Sequence, residues 1–233
     1  MAPAVEVNNL TFAWSKGAPP VLDIPELSIE AGERVFLRGP SGSGKTTLLN
    51  LLGGVTVPDK GTIRIDGHEL TAMGGAARDR LRADRIGFVF QLFNLVPYLG
   101  LIENVALPCR FSSVRRAQAI AAGGIELEAR RLLSRMGLEL ADVGRRAVST
   151  LSVGQQQRVA AARALIGAPA LIIADEPTSA LDADVATAFL DLVLEEAGRA
   201  GATVLFVSHD DRLQAAFDRS LSLADINRAG VPA

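Results

Sequence analysis

The spacing of apolar and polar residues predicts a first segment rich in β-strands. Three stretches have strand character, residues 5–14, 27–29 and 35–37. A turn at Ala31-Gly32 separates the second from the third, and residues 61–67 alternate like a half-exposed strand. Between these strands, an apolar run predicts a helix from Thr46 that ends at Gly53-Gly54.

The pattern changes from about Leu92 to Thr150, where Val, Ile and Phe give way to Ala, Arg and Leu. The spacing i, i+3, i+4, i+7 places one apolar stripe on a helix, and the stripe consists of Ala129, Leu132, Leu133 and Met136. Gly137 fits the end of this helix. We therefore predict a mainly helical insertion.

Strand character then returns in three segments, ALIIAD (170–175), TVLFVSH (203–209) and SLSLADI (220–226). They are apolar until they end in polar residues, as expected of parallel strands that helices cover on both faces. Long helical patterns separate them, which favours an α/β fold with right-handed crossovers. We expect one domain over residues 1–233, with its catalytic core in 1–91 and 156–233 and a helical subdomain in 92–155.

Composition limits what this domain does. With 48% hydrophobic and 21% charged residues, the chain is expected to fold around a full core. A net charge of −2 gives no electrostatic case for nucleic acid. No apolar run approaches the roughly 20 residues that span a bilayer, and the first ten residues do not resemble a secretory signal. The single cysteine, Cys109, fits a reducing cytosol, so we expect any membrane role to depend on a partner.

A glycine-rich loop carries the clearest chemistry. It is Gly39-Pro40-Ser41-Gly42-Ser43-Gly44-Lys45-Thr46, followed by Thr47, and it matches G-x-x-x-x-G-K-[ST] in full. Its glycines let backbone N–H groups point at phosphate oxygens, and the following helix adds its positive end. Lys45 is expected to reach the β- and γ-phosphates, and Thr46 to offer its hydroxyl to Mg²⁺.

Polar residues end two of the later strands. Asp175 and Glu176 follow ALIIA, and His209 follows TVLFVS. Alone, such acids are usual in a solvated turn and such a histidine is usually structural. Beside a phosphate loop in the same sheet, Asp175 is the expected Mg²⁺ ligand through water, Glu176 the general base, and His209 a γ-phosphate contact. His68, in a turn, is expected to be an ordinary surface residue.

The segment Leu151–Arg158, LSVGQQQR, narrows the class. With it the chain resembles the ATP-binding-cassette (ABC) family, whose signature is usually LSGGQ. The other motifs follow in the family's order: Gln91 as the Q-loop, Ser179–Asp182 as the D-loop and His209 as the switch histidine. Trp14 matches the aromatic residue that stacks on adenine. The resemblance covers nearly the whole chain.

The resemblance implies a P-loop NTPase fold, with a RecA-like core, an antiparallel β-subdomain and an inserted α-helical subdomain. It implies ATP and Mg²⁺ as ligands. Catalytic roles are implied for Glu176, His209, Gln91 and Lys45, and Mg²⁺ contacts for Thr46, Gln91 and Asp175. Nucleotide contacts are implied for Trp14, for the whole phosphate loop, and for Ser152, Gly154, Gln155 and Asp182.

The signature has two interpretations. Ser152 and Gln155 have the spacing of a capping box, which satisfies the N–H groups of their own helix. In the family, this helix start instead faces the γ-phosphate bound by a second subunit, so a head-to-tail homodimer is implied. Val153 departs from the usual glycine and adds a side chain close to the nucleotide, while Ser152 and Gly154 are retained.

The resemblance also implies a membrane permease as partner, a place on the cytoplasmic face of the inner membrane, and no nucleic acid. Segments such as FVFQLFNLVP (88–97) are similar to those of one branch of the family. That branch contains the ATPases of lipoprotein release, macrolide export and cell-division signalling, whose permeases have large periplasmic domains. The apolar residues 92–99 are either ordinary core or part of a groove for the permease. The alternatives are a non-transport ABC ATPase or regulator that acts in cell division or on a soluble partner.

Overall fold

The computed structural model describes residues 2–138 and 147–229. Its strands are β1 (Val5–Phe12), β2 (Leu22–Ile29), β3 (Arg34–Arg38), β4 (Lys60–Ile65), β5 (His68–Glu69), β6 (Ile86–Val89), β7 (Leu171–Asp175), β8 (Thr203–Val207) and β9 (Arg219–Ser222). Its helices are α1 (Lys45–Leu52), α2 (Gly75–Arg85), α3 (Leu101–Ala106), α4 (Pro108–Phe111), α5 (Ser113–Ala121), α6 (Ile125–Arg135), α7 (Val153–Leu165), α8 (Ala183–Ala200) and α9 (Leu223–Ile226).

A parallel sheet in the order β6-β7-β8-β3-β9 forms the centre of the fold. Successive residues of one strand face opposite layers, so that Val35 and Leu37 lie in one apolar cluster and Phe36 in the other. Every residue of β8 is buried. The predicted α/β fold with buried parallel strands is confirmed.

An antiparallel sheet, β2-β1-β4-β5, shares an apolar cluster with α1 and one face of the parallel sheet. Strand β1 pairs with both β2 and β4, and its alternate residues such as Val5 and Val7 are fully buried. The strand ends at Phe12, two residues earlier than predicted, so Trp14 lies beyond it in the following loop.

The last predicted strand, 220–226, is only half correct. Strand β9 ends at Ser222, and the next four residues form α9. The chain folds back here because the side chain of Asn227 donates to the Val21 carbonyl at 3.0 Å and accepts from the Asp23 amide at 2.8 Å. A contact across 204 residues of sequence is not visible in a local pattern.

The other apolar cluster joins the parallel sheet to the helical insertion. Helix α6 buries the predicted stripe completely or nearly so, and Gly137 follows it with a left-handed φ of 72°. Helix α7 begins in the signature at Ser152 and packs against α3, α6 and strand β6. Residues 139–146 of the predicted helical subdomain lie outside the described residues. Within the described residues, no helix is long and apolar enough to cross a membrane.

Candidate nucleotide site

The polar sequence motifs meet at one edge of the parallel sheet. Four adjacent strands, β6, β7, β8 and β3, run in the same direction and end at this edge. They are followed by Gln91, by Asp175 and Glu176, by His209 and by the phosphate loop, respectively. The carboxyl edge of a parallel sheet is the usual ligand side of an α/β fold. Residues more than 160 positions apart in the chain are therefore neighbours here.

The phosphate loop connects β3 to α1 and depends on its glycines. Gly44 has a φ of 101°, which L side chains rarely adopt, and a Cβ there would come within 3.0 Å of the Leu22 side chain. Lys45 is buried and donates from Nζ to the carbonyls of Gly39 at 2.7 Å and Pro40 at 3.0 Å. These contacts hold the start of the loop against the ammonium group at the tip of the lysine side chain.

Thr46 and Asp175 form the acidic side of the site. The Thr46 hydroxyl donates to Asp175 Oδ2 at 3.2 Å, across 129 residues of sequence. Burial raises the pKa of Asp175, the hydrogen bond from Thr46 lowers it, and the neighbouring Glu176 raises it. The pKa of Asp175 is raised overall, which means that its ionised form is destabilised in this site. A bound cation would stabilise that ionised form.

Glu176 lies between two nitrogen groups. Its Oε1 is 3.7 Å from Lys45 Nζ, and its Oε2 is 3.5 Å from Nδ1 of the exposed His209 ring. Its own amide donates to the Val207 carbonyl at 2.9 Å, and its φ of 45° is left-handed. Few non-glycine residues adopt this conformation, and those that do are often found at functional sites. The histidine that the sequence assigned to the γ-phosphate thus also lies beside the expected general base.

A cavity of about 440 Å³ runs between the loop and the acidic side. Its lining residues are Trp14, Val21, Ser41, Gly42, Gly44, Lys45, Thr46, Thr47, Gln91, Asp175 and Glu176. Trp14 is 62% exposed and meets Phe12 edge-on, with ring centroids 5.0 Å apart, so its indole face is open to a planar ligand. Val21, which directly precedes β2, is the one lining residue besides the motifs, and no motif in the sequence indicates it.

The donor set fits a magnesium nucleotide. Thr46, Asp175 and Gln91 offer hydroxyl, carboxylate and amide oxygens to the cavity, and Mg²⁺ prefers a few protein oxygens with the remainder from water and phosphate. Among residues 2–138 and 147–229, no three His, Cys, Asp or Glu side chains are grouped to hold a metal without such help. In the loop, the buried Ser43 Oγ has no hydrogen-bond partner in the protein.

Comparison with known proteins decides the family. Residues 22–179, more than half of the chain, match the family model described as ABC transporter. The chain belongs to the ABC transporter ATPase family. It is therefore an ATP-binding subunit and an ABC-type ATP hydrolase.

The chain is 42% identical over 225 residues to the lipoprotein-releasing system ATP-binding protein LolD of Anaeromyxobacter dehalogenans, and the match covers 96% of this chain and 91% of that one. It is 39% identical to the macrolide export ATP-binding/permease protein MacB of Marinobacter nauticus, over 96% of this chain and 34% of that one. Among solved structures, the dimeric post-hydrolysis state of the ATP-binding cassette MJ0796 bound to ADP and Pi superposes with a TM-score of 0.83. That match has 35% identity and covers 98% of this chain and 97% of the other.

The family signature lies apart from the nucleotide cavity of its own chain. Ser152 caps α7: its Oγ accepts from the Gln155 amide at 3.3 Å, and its amide donates to Gln155 Oε1 at 3.0 Å. The predicted capping box is confirmed. Neither these residues nor Gly154 nor Asp182 line the cavity, and Asp182 begins α8 without a side-chain cap. His68 is exposed on β5, as expected.

Proposed function

We propose that this chain is the ATP-driven subunit of an export or periplasmic mechanotransmission system with a separate membrane permease. It works as a head-to-tail homodimer that closes around two ATP, peripherally bound to the cytoplasmic face of the inner membrane. The observation that carries the proposal is the divided site. The phosphate loop and acids share one cavity, while the signature helix of the same chain, which is exposed at Ser152 and Val153, takes no part in it.

In the hydrolytic step, each residue has a separate task. Lys45 donates to the β- and γ-phosphate oxygens, and the backbone N–H groups of the loop donate to the phosphates as well. Glu176 accepts a proton from the attacking water, and His209 orients that carboxylate from 3.5 Å. Thr46, Gln91 and, through water, Asp175 would hold Mg²⁺, which would supply positive charge next to the phosphate oxygens. Trp14 stacks on the adenine.

The second copy supplies what the first lacks. Ser152, Gly154 and Gln155 of the signature and Asp182 of the D-loop would face the γ-phosphate across the dimer interface, where the positive end of α7 favours an anion. Closure is then driven by contacts that exist only in the ATP-bound dimer, and hydrolysis removes them. Val153 is 47% exposed and would pack at this interface.

A groove at the junction of core and insertion is the proposed permease site. It has a volume of about 710 Å³ and lies between α2, β6, α4 and the end of α7. Within the apolar segment 92–99, Leu95 packs against the core, whereas Leu92 and Tyr98 are 82% and 85% exposed. The relatives belong to lipoprotein-releasing and macrolide export systems, which supports a permease as the occupant.

Two measurements test this proposal together. Steady-state ATPase activity is expected to disappear in Glu176→Gln while ATP binding is retained. The control is Glu26→Gln, at an exposed position on β2 that does not line the cavity, and it is expected to keep both. Equal activity in Glu176→Gln and wild type would remove Glu176 from its role. Affinity purification of the tagged chain from membranes is expected to recover an integral membrane protein. Recovery of only soluble partners would instead favour a non-transport ATPase or regulator.

A further inference from the structure

The ring of His209 has little around it to hold it in place. Its side chain is 65% exposed, and in the part of the chain that the structure describes its one polar contact is with Glu176, at 3.5 Å from Nδ1 to Oε2. That distance is longer than a usual hydrogen bond, and an exposed side chain has several rotamers available. The position of the ring therefore depends mainly on the backbone of residues 208–210, which carries it.

Ser208 fixes this backbone from the protein interior. It is 2% exposed, and its amide donates to the carbonyl of Leu37 on β3 at 3.3 Å. Its Oγ accepts from the amide of Asp210 at 3.0 Å, so the hydroxyl bridges the backbone on the two sides of His209. The serine thus ties the histidine to the strand that leads into the phosphate loop.

Asp210 and Arg212 fix the same backbone from the solvent side. Asp210 precedes a 3₁₀ turn, Asp211–Ala216, and its Oδ1 accepts from the amide of Arg212 at 3.1 Å. The guanidinium of Arg212 donates from Nε to Oδ1 at 2.8 Å and from Nη2 to Oδ2 at 2.7 Å, which makes a bidentate pair. The hydrogen bonds from this side chain lower the pKa of Asp210. Leu213, 3% exposed, anchors the turn in the core.

We propose that Ser208 and Arg212 are positioning residues for ATP hydrolysis, which together hold the His209 backbone so that its ring stays beside Glu176. This inference rests on the proposed function, because it requires His209 to orient Glu176. Neither positioning residue lines the nucleotide cavity, so each acts through His209 and not on ATP. An exposed ion pair such as that of Arg212 with Asp210 contributes little to stability, so its main effect is on the geometry of the turn.

Steady-state kinetics of the purified chain tests the inference. Ser208→Ala is expected to lower kcat about tenfold, since a displacement of about 1 Å at a reacting group costs up to about a hundredfold, and to leave KM for ATP nearly unchanged. Ser208→Thr keeps a hydroxyl and is expected to retain most of the activity. Arg212→Gln is expected to lower kcat as well, and Arg212→Lys, which lacks the bidentate fork, to lie between it and wild type.

Thr203→Val is the matched control, at the other end of β8. Thr203 is 1% exposed and its Oγ1 accepts from the amide of Gly32 at 2.8 Å, so this variant also removes a buried hydroxyl that accepts from the backbone. It is expected to lower the thermal midpoint about as much as Ser208→Ala does, but to leave kcat unchanged. A fall in kcat of the same size in both variants would reflect a general loss of stability and would overturn the positioning role.

The two histidines of the chain allow the ring to be observed directly. NMR of the imidazole protons distinguishes His209 from His68, which is exposed on β5 in the other sheet and serves as an internal reference. In Ser208→Ala and in Arg212→Gln the signals of His209 are expected to shift, while those of His68 stay in place. His209 signals identical to those of wild type in both variants would overturn the inference.

The variant His209→Ala separates this inference from the proposed function. A low kcat in His209→Ala together with a normal kcat in Ser208→Ala and Arg212→Gln would overturn the positioning role and leave the proposed function intact. A normal kcat in His209→Ala would instead remove His209 from the proposed hydrolytic step, and the positioning role would fall with it.

Discussion

Glu196 clamps the helical insertion to the catalytic core. Its side chain is 2% exposed, and its carboxylate accepts from Arg131 at 2.8 Å and Arg135 at 2.9 Å on α6 and from Arg199 at 2.9 Å on its own helix. Burial would raise the pKa of Glu196, but the hydrogen bonds from Arg131 and Arg135 outweigh it and hold the pKa below its usual value. We predict that Glu196→Gln, which keeps the shape and removes the charge, destabilises the protein.

The size of the effect follows from the mixed exposure of the network. Breaking a fully buried ion pair costs about 3–5 kcal/mol and an exposed one about 0–1 kcal/mol. The acid here is buried and its arginines are 36–51% exposed. We therefore expect a loss of about 2 kcal/mol at pH 7, measured by urea unfolding. Glu126→Gln removes an exposed intrahelical pair with Arg130 and is expected to cost only a few tenths of a kcal/mol.

The pH dependence gives a second measurement of the same interaction. Because the pKa of Glu196 is lower in the folded chain, its contribution is present above the ordinary glutamate pKa and is lost as the pH falls through the lowered value. The difference between wild type and Glu196→Gln is thus expected to shrink below about pH 4. A cost no larger than that of Glu126→Gln, or a difference that persists unchanged in acid, would refute this account of the clamp.

Three further outcomes are expected. Asp175→Asn should raise the thermal midpoint of the ligand-free chain, because burial destabilises the ionised acid, and calorimetry measures this midpoint. The same variant should weaken Mg²⁺-dependent ATP hydrolysis, measured by phosphate release. A lower midpoint would contradict the electrostatic argument. Trp14→Ala should weaken ATP binding about tenfold, because aromatic stacking on a base contributes about 1–3 kcal/mol, and Trp14→Phe should weaken it much less. Titration with ATP measures the affinities, and equal affinities in all three proteins would remove the stacking role. Gly87→Ala should destabilise by at least about 2 kcal/mol, since its Cβ would clash with the Ala164 carbonyl; wild-type stability in urea would show that β6 and α7 separate easily.

The sequence motifs were enough to predict which candidate residues lie at one edge of the sheet, because each motif is local. A phosphate loop, a strand that ends in two acids and a capped signature helix each occupy a few consecutive residues, and parallel strands necessarily bring their carboxyl ends to one edge. Thus Thr46 and Asp175, 129 residues apart, were both assigned to Mg²⁺ before the structure placed them 3.2 Å apart.

What the sequence left out depends on tertiary contacts. Arg115 and Arg163 resemble ordinary helix-surface arginines, and only the fold shows them buried against carbonyls of distant segments. The bend at Ser222 needs Asn227 to reach β2, and the groove needs α2, β6 and α7 together. The contact between His209 and Glu176 likewise arises only from the pairing of β7 with β8.

The central claim is that ATP is enclosed between the phosphate loop of one copy and the signature helix of another. Light scattering coupled to size-exclusion chromatography of Glu176→Gln, with ATP and Mg²⁺, tests it most directly. We expect a dimer with ATP, a monomer with ADP, and loss of the ATP-bound dimer when Ser152→Glu is added, because a negative charge would face the γ-phosphate. A hydrolysis-blocked chain that stays monomeric at saturating ATP even with its membrane partner, or a dimer indifferent to Ser152→Glu, would contradict the claim.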